Sequence, residues 1–489
     1  MRILFVHGAY ESLGIEYLSA VLKKNGHQVF LAYSPLLFRD ALLHFPLAAH
    51  CFNRDRSLVE LENIKPDLIA FSCVTACFSW MHGLARAYKR KLPDVPIVFG
   101  GIHASTAPEY LISIPEIDFV CLGEGEQALL ELVECLAEKQ DPSRISNIWG
   151  KNFRNQPRPL IRDLDSLPFP DHELFYEKAP YFKDVYPIIT SRGCPYSCTY
   201  CNNNSLKRIY PAEPGMLRRR SIANVMEELV RAQKKWNYKA LVIEDEIFTG
   251  DTERVREFCT AYRKKIRLPF ICVTHPKTTR PEELEMLRSA GCVQIEIGVQ
   301  TLNRKVRRQY LRRFETNSEI VQALKALHES GIPYNIDHIL GLPGDDFQSQ
   351  LLALKIYNVF RPHRLLPFFI TYYPGTEISG IAEKMGMLEP GLKAKILAGE
   401  SESFEQHGSI EDRNQRKRLD SLRIVFGWLP LLPRKIVRLI LKSSLIGMLP
   451  DSHLIGKVLP SLLFTLFSKE PRGKLILKKY LYHLIRLGK

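Results

Sequence analysis

No stretch of the 489-residue sequence approaches the roughly 18 to 20 uninterrupted apolar residues that span a bilayer. The apolar opening Ile3-Leu4-Phe5-Val6 is too short for a secretory leader. These two absences predict a cytoplasmic protein, peripheral to a membrane at most. A paired set of cysteines is missing too: the eleven present are odd in number and scattered, which argues against a disulfide framework and for a reducing compartment. A net basic excess is missing from most of the chain. The formal net charge is +15, but from Glu411 onward 17 Lys or Arg stand against 5 acids, so most of the excess sits in that segment. A globally basic protein would suggest nucleic acid, whereas a confined basic segment points to a local partner or a solvated helical face. Arg416-Lys-Arg and Lys478-Lys479 are short clusters without a recognisable binding module, so no nucleic acid is expected. With 45% of residues hydrophobic and 25% charged, the chain has the composition of two to four globular domains rather than a disordered one.

Two series of alternating strands and helices are present. A strand at Arg2 to His7 and an amphipathic helix from Gly14 to Asn25 open the first, and Val29 to Tyr33, Leu68 to Cys73, Ile97 to Gly100 and Phe119 to Leu122 continue it. Helical segments such as Met81 to Lys91 and Gln127 to Lys139 lie between them, which predicts an α/β domain with a parallel sheet of about five strands over residues 1–140. Residues 141–185 are proline-rich without sustained period and read as an extended linker. The second series, Tyr186 to Ser191, Ala240 to Asp245, Phe270 to Thr274, Val293 to Gly298, Tyr334 to Leu340 and Leu365 to Tyr372, predicts a partial (βα)6 barrel over 186–385. Ligands of such sheets sit at the carboxyl ends of the strands, so the residues just after each run are where chemistry is expected. Residues 386–489 read as a helical, basic region broken by prolines.

Directly after the first barrel strand comes Thr190-Ser-Arg-Gly-Cys194-Pro-Tyr-Ser-Cys198-Thr-Tyr-Cys201-Asn. Three thiolates at these spacings can wrap one iron-sulfur cluster from a single loop. A fourth cysteine is absent nearby, which leaves one iron open for a non-protein ligand. Zinc is the bland alternative, but a structural zinc site normally takes four ligands and no fourth Cys or His follows closely.

The loop and the barrel it opens resemble the radical S-adenosylmethionine (SAM) enzymes. That resemblance implies a [4Fe-4S] cluster held by Cys194, Cys198 and Cys201, which are then both metal ligands and catalytic residues. The open iron is chelated by the amino and carboxylate groups of SAM, and an electron donor such as flavodoxin or ferredoxin reduces the cluster, cleaving SAM to a 5'-deoxyadenosyl radical. Tyr200 matches the aromatic position whose backbone meets the adenine. Glu244-Asp245-Glu246 falls where the family places a polar motif for the SAM amino group, departing from the commoner Gly-Gly-Glu; Asp245 and Glu246 are the residues implied, and an ammonium does need a charge-assisted acceptor. Glu296 and Gln300, in Gln294-Ile-Glu296-Ile-Gly-Val-Gln300, match the ribose-contacting stretch, although Glu296 can equally be a satisfied interior carboxylate. Gly341-Leu-Pro-Gly344 resembles the family's turn near the adenine; by itself it is an ordinary strand-to-helix turn.

Residues 1–140 resemble the Rossmann-like cobalamin-binding domain found ahead of many such barrels. Leu13-Gly14 opens the first helix, Ser72 and Thr75 follow the third strand, Gly100, Gly101 and His103 the fourth, and Gly123 and Glu124 the fifth, and the resemblance implies these as cofactor-binding positions. Glycines there let a nucleotide tail pack on the sheet's carboxyl edge, as they would in any flavodoxin-like domain. The loop His7-Gly-Ala-Tyr-Glu-Ser-Leu-Gly14 departs from Asp-x-His-x-x-Gly, so the resemblance is to members whose cobalt takes no protein histidine. The loop from Cys73 to Trp80 would then face the cobalt, while Cys73 and Cys77 read better as small buried hydrophobes.

The two resemblances together imply methylation of an unactivated carbon or phosphorus centre on a small-molecule or lipid-like substrate, the protein supplying position and exclusion of water. Cobalamin-dependent cyclisation, oxidation or rearrangement is the alternative within the family. A non-catalytic cobalamin or SAM sensor is the alternative of another class, disfavoured by an intact three-cysteine loop. Cys51, Cys73, Cys77, Cys121 and Cys135 do not form the pattern of a second cluster, and no cysteine follows Cys292. Around Ile424 to Leu445 and Leu454 to Phe467, apolar and basic residues alternate; a helical lid on the open barrel is the preferred reading, and contact with an anionic membrane surface is the other. Arg218-Arg-Arg220 and the run Arg304 to Arg308 can meet a phosphate or the SAM carboxylate, and solvated helix or loop charges explain them as well.

Overall fold

The computed structural model describes residues 1–38, 61, 63–211, 215–401, 407–442, 446, 449–450, 452, 454–467 and 470–487; Cys51 lies outside them, as does the end of the apolar-basic segment at Leu445. Strand β1 (Arg2–Gly8) is buried along almost its whole length, as a central parallel strand must be. Ser12 caps the helix Leu13–Lys24, which lays Ile15, Val21 and Leu22 inward. With β2 (Gln28–Ser34), β3 (Leu68–Ser72), β4 (Ile97–Gly100) and β5 (Phe119–Cys121) the sheet runs β2-β1-β3-β4-β5, all parallel. The strand order reverses between β1 and β3, so helices cover both faces and a crevice opens at the carboxyl edge.

A sixth strand, β6 (Ile148–Gly150), pairs antiparallel with β5. It comes from the proline-rich stretch expected to be extended linker: three residues carry no readable period, and it is the exposed edge of β5 that recruits them. The same stretch docks on the first domain through a buried ionic knot. His172 Nδ1 lies 2.9 Å from Glu11 and 3.0 Å from Glu16, all three removed from solvent. Burial raises both carboxyls well above their ordinary value, so the group is held together by shared protons as much as by charge.

The second sheet is built from β7 (Val185–Ile188), β10 (Ala240–Ile243), β11 (Phe270–Thr274), β12 (Cys292–Gln300), β13 (Tyr334–Leu340) and β14 (Arg364–Phe369), six parallel strands in that order. Between β7 and β10 a two-residue ribbon, β8 (Ser191–Arg192) with β9 (Arg218–Arg219), sits at the mouth. Amphipathic helices return each strand; Asn317–Ser330, for example, starts on a Thr316/Glu319 capping box and stops at left-handed Gly331. One continuous apolar core fills the space between strands and helices.

Among the described residues β7 and β14 do not pair, so the barrel has a lateral gap. The carboxyl-terminal helices close it. Leu459–Phe467 packs over β14, where Arg364 donates to Ser461, and Pro471–Leu487 runs back past β7. This is the lid expected from the sequence. No helix among the described residues is long and apolar enough to cross a membrane.

Gly101 illustrates how tightly the first carboxyl edge is built. Its φ is +87°, and an added Cβ would sit 2.8 Å from the backbone N and O of Cys73. Gly101→Ala is expected to cost about 2–3 kcal/mol, read as a lower apparent melting temperature. Gly83→Ala, inside the helix Phe78–Lys91 with nothing within 4 Å of the new methyl, should instead gain about 0.5–1 kcal/mol.

Candidate functional site

The cysteine loop is positioned from both ends. Asp245, fully buried at the end of β10, accepts from the amides of Thr190 and Ser191 at 2.6 and 3.0 Å and from their hydroxyls at 2.6 and 2.7 Å. Gly193 follows with φ +87° and no room for a side chain against the Met216 carbonyl. Cys201 caps the helix Asn202–Ile209, and Lys207 on that helix reaches back to the Tyr196 carbonyl at 2.6 Å.

Burial pushes the Cys194 thiol up to about 11 and the Cys201 thiol up to about 12, and raises Cys198 as well. By themselves they stay protonated at neutral pH; a metal must take up the charge to hold them as thiolates. Three thiols from one short loop, with a fourth position left for a non-protein ligand, match what a [4Fe-4S] cluster takes from a single loop, whereas a structural zinc site takes four protein ligands. The donor set therefore fits a [4Fe-4S] cluster.

Behind the loop lies a network that sequence reading missed. Arg313 is buried and donates to the Tyr200 hydroxyl at 3.1 Å, His275 at 3.0 Å, the Gly298 carbonyl at 2.7 Å and Glu315 at 2.6 Å. Desolvation and the adjacent guanidinium push His275 down to about 2, so it stays neutral and stacks on Tyr196 at 4.1 Å, between two of the cysteines. The signal was available for His275, which directly follows β11, where chemistry was to be sought.

Across from the loop, the carboxyl edges of the two sheets enclose a largely apolar chamber of about 360 Å³. Ser72, Gly100, Gly101 and Gly123 line it from the first domain, and Glu244, Glu246 and Arg192 from the barrel. The apolar wall of Phe5, Ala70 and Val98 beside the polar edge of Ser72 and Glu124 fits a cobalamin nucleotide, while Gly101 and Gly123 are required by the close approach of the Cys73 backbone and the Tyr210 ring. Thr75 and His103, in contrast, are tied to each other at 3.0 Å, with His103 over Phe78 at 4.7 Å, behind the wall. Cys73 is fully buried, as a small hydrophobe would be. Glu124 reaches the chamber but spends its carboxylate on Arg218 at 2.8 Å, Arg192 at 3.2 Å and the Ile161 amide at 3.0 Å. Arg218 and Arg220 are thus buried ion-pair partners, the latter 2.6 Å from Glu228, which is neither of the two expected roles; Arg307 likewise is fully buried, against the Thr301 and Glu315 carbonyls. Composition cannot show that a charge run contributes single members to an interior.

In the barrel, Glu246 lines the chamber, while both oxygens of Asp245 are occupied by Thr190 and Ser191. Glu296 lies deeper, in a second cavity, with Arg472 of the last helix at 3.3 Å. Burial and the neighbouring Glu296 raise the Asp337 carboxyl well above its ordinary value. Gln300 ends β12 in the left-handed region, φ +68°, and is buried. Substituting Arg313 by Met would leave Glu315 buried and unpaired; a loss of about 3–5 kcal/mol is expected, together with lower iron content after anaerobic reconstitution. Arg313→Lys should rescue little of either, since an ammonium cannot span the four acceptors.

Two family models match the chain: the radical SAM superfamily over residues 188–353 and the B12 binding domain over residues 3–133. An uncharacterized methyltransferase of Pyrococcus horikoshii is 24% identical over 392 residues, 77% of this chain and 82% of the relative. The anaerobic magnesium-protoporphyrin IX monomethyl ester cyclase of Rubrivivax gelatinosus is 26% identical over 390 residues, 74% of this chain and 66% of the relative. Among solved structures, the radical SAM methyltransferase TsrM of Kitasatospora setae with cobalamin and a [4Fe-4S] cluster superposes with a TM-score of 0.60 at 19% identity, covering 80% of this chain and 79% of its own. The two domains imply a [4Fe-4S] cluster and SAM in the barrel and cobalamin in the amino-terminal domain. The chain belongs to the radical SAM enzymes that carry an amino-terminal cobalamin-binding domain.

Proposed function

We propose that this enzyme methylates an unactivated carbon or phosphorus centre of a small molecule. The observation that carries the reading is the single chamber at the facing sheet edges, whose walls join the glycines of the cobalamin side to Glu244 and Glu246 of the cluster side. When bound, the cluster and SAM supply a 5'-deoxyadenosyl radical and cobalamin carries the methyl group. The chain's own residues hold these parts in register. Cys194, Cys198 and Cys201 ligate the cluster, and the Asp245 contacts fix the start of their loop. Glu246, beside Asn203 at the chamber wall, is placed to accept from the SAM ammonium. Tyr200, held by Arg313, and Gln300 line up with the adenosine end. Ser72, Gly100, Gly101 and Gly123 bound the cobalamin tail, and Glu124 keeps the two domains at fixed separation. We assign residues 1–140, 141–185, 186–385 and 386–489 to cobalamin binding, linkage, radical chemistry and closure, with a small flavodoxin or ferredoxin as electron donor and peripheral membrane contact through the last region.

Similarity to the cyclase keeps a second reading, ring formation without methyl transfer. Anaerobic reconstitution with iron, sulfide and hydroxocobalamin should give about four irons and one cobalt per chain, and label from methyl-labelled SAM should reach an acceptor. Iron without cobalt would overturn the methyl-transfer reading, and 5'-deoxyadenosine formed without label transfer would favour the second. Cys198→Ala should lose SAM cleavage entirely; turnover retained in that variant would refute the mechanism. Glu246→Gln should retain iron and cobalt but weaken SAM binding by about tenfold, measured by equilibrium dialysis.

A further inference from the structure

The helix Pro471–Leu487 has two faces with different surroundings. Its inner face belongs to the enzyme. Arg472 pairs with Glu244 at 3.0 Å and Glu296 at 3.3 Å, Leu475 joins the apolar group of Val185, Val242 and Ile271, and the Tyr480 hydroxyl accepts from the Phe38 amide at 3.0 Å. Its outer face carries exposed apolar side chains. Leu477, Leu481, Leu484 and Ile485 recur at helical spacing and are 41%, 52%, 40% and 65% exposed. Leu466, at the end of the preceding helix, is 61% exposed; Lys474 stands exposed beside the stripe, while Lys478 is paired with Asp184. From Arg434 onward 12 Lys or Arg stand against 2 acids.

An apolar stripe flanked by a strong cationic excess suits one occupant, an anionic bilayer surface: the leucines enter the acyl boundary and the lysines meet the headgroups. The inner face of the same helix also walls the second cavity, about 480 Å³, where Leu366, Phe368 and Tyr181 supply an apolar lining; of its charges, Arg472 is paired with Glu296 and Arg364 with Glu470, which leaves the charge of Lys457 and Lys479 in excess. We propose that the helix Pro471–Leu487 lies on an anionic membrane and that this cavity takes an anionic, apolar-chained lipid from it as the methyl acceptor. The docking half stands on the helix alone; the acceptor half rests on the methyl-transfer reading.

The test is flotation of the reconstituted holoenzyme with vesicles of phosphatidylcholine, with and without phosphatidylglycerol. Binding is expected only with phosphatidylglycerol, and the combined Leu477→Ser, Leu481→Ser, Ile485→Ser variant should bind at least about tenfold less while its iron, its cobalt and its melting temperature match wild type. Wild-type protein that stays unbound, or a variant that floats equally well, overturns the docking. So does a wild type that ignores vesicles yet self-associates through the stripe, shown by a change in elution that the variant abolishes. With methyl-labelled SAM, a reductant and vesicles of bacterial polar lipids, label should enter the organic phase. Label in a water-soluble acceptor overturns the lipid class. SAM cleavage with no label in either phase counts against methyl transfer itself, and flotation alone then decides the docking.

Discussion

The molecule depends on two parallel sheets meeting carboxyl edge to carboxyl edge, and Glu124 is the pin. Its carboxylate lies between Arg192 and Arg218 and also takes the Ile161 amide, so one acid from the first domain is bound by the ribbon at the barrel mouth and by the connector. Arg192 is pulled further toward the first domain by Glu126 at 2.7 Å and rests on the Tyr17 ring. A desolvated cluster of this kind adds little net stability, because removing the charges from water costs about what their attraction returns. What it provides is orientation. Misplacing any one member leaves a buried charge uncompensated, so the separation of the two edges, and the size of the chamber between them, is narrowly defined.

The strands were legible because each is a short apolar run between turn residues. All six of the barrel were recognisable to within a few residues, as were the five parallel strands of the first sheet. The pieces that escaped are those whose conformation is decided by a neighbour. β6 is three residues recruited by the edge of β5, and the β8–β9 ribbon forms only because Gly193 lets the loop turn against Met216. The cysteine loop and the glycine-rich strand ends were readable from spacing alone, since their chemistry requires those residue types. Buried charge was not: nothing local distinguishes Arg313, wrapped by four acceptors, from Arg312 beside it, whose guanidinium is half in solvent. Thr75 and His103 show the converse, polar residues at a functional edge whose hydrogen bond is to each other.

Asp245 and Glu246 divide the work of one short motif by side-chain direction. Adjacent residues at a strand end point to opposite sides, so one carboxylate goes down to the backbone of the cysteine loop and the other out to the chamber wall. Glu296 and Asp337, on neighbouring strands, again combine two acids, but here the nearest cation is Arg472, from a helix far away in sequence. The barrel interior is thus electrostatically incomplete until the end of the chain is folded onto it.

That incompleteness has a consequence for biosynthesis. Phe369, which ends β14, leaves the ribosome roughly 100 residues before Arg472, an interval on the order of 5 to 20 seconds at about 5 to 20 residues per second. For that time the six strands are complete while the gap between β7 and β14 lacks its cover and Glu244 and Glu296 lack Arg472. An order of assembly is written into the chain: the strands come first, and the arrival of Arg472 on Glu244 and Glu296 covers the flank last.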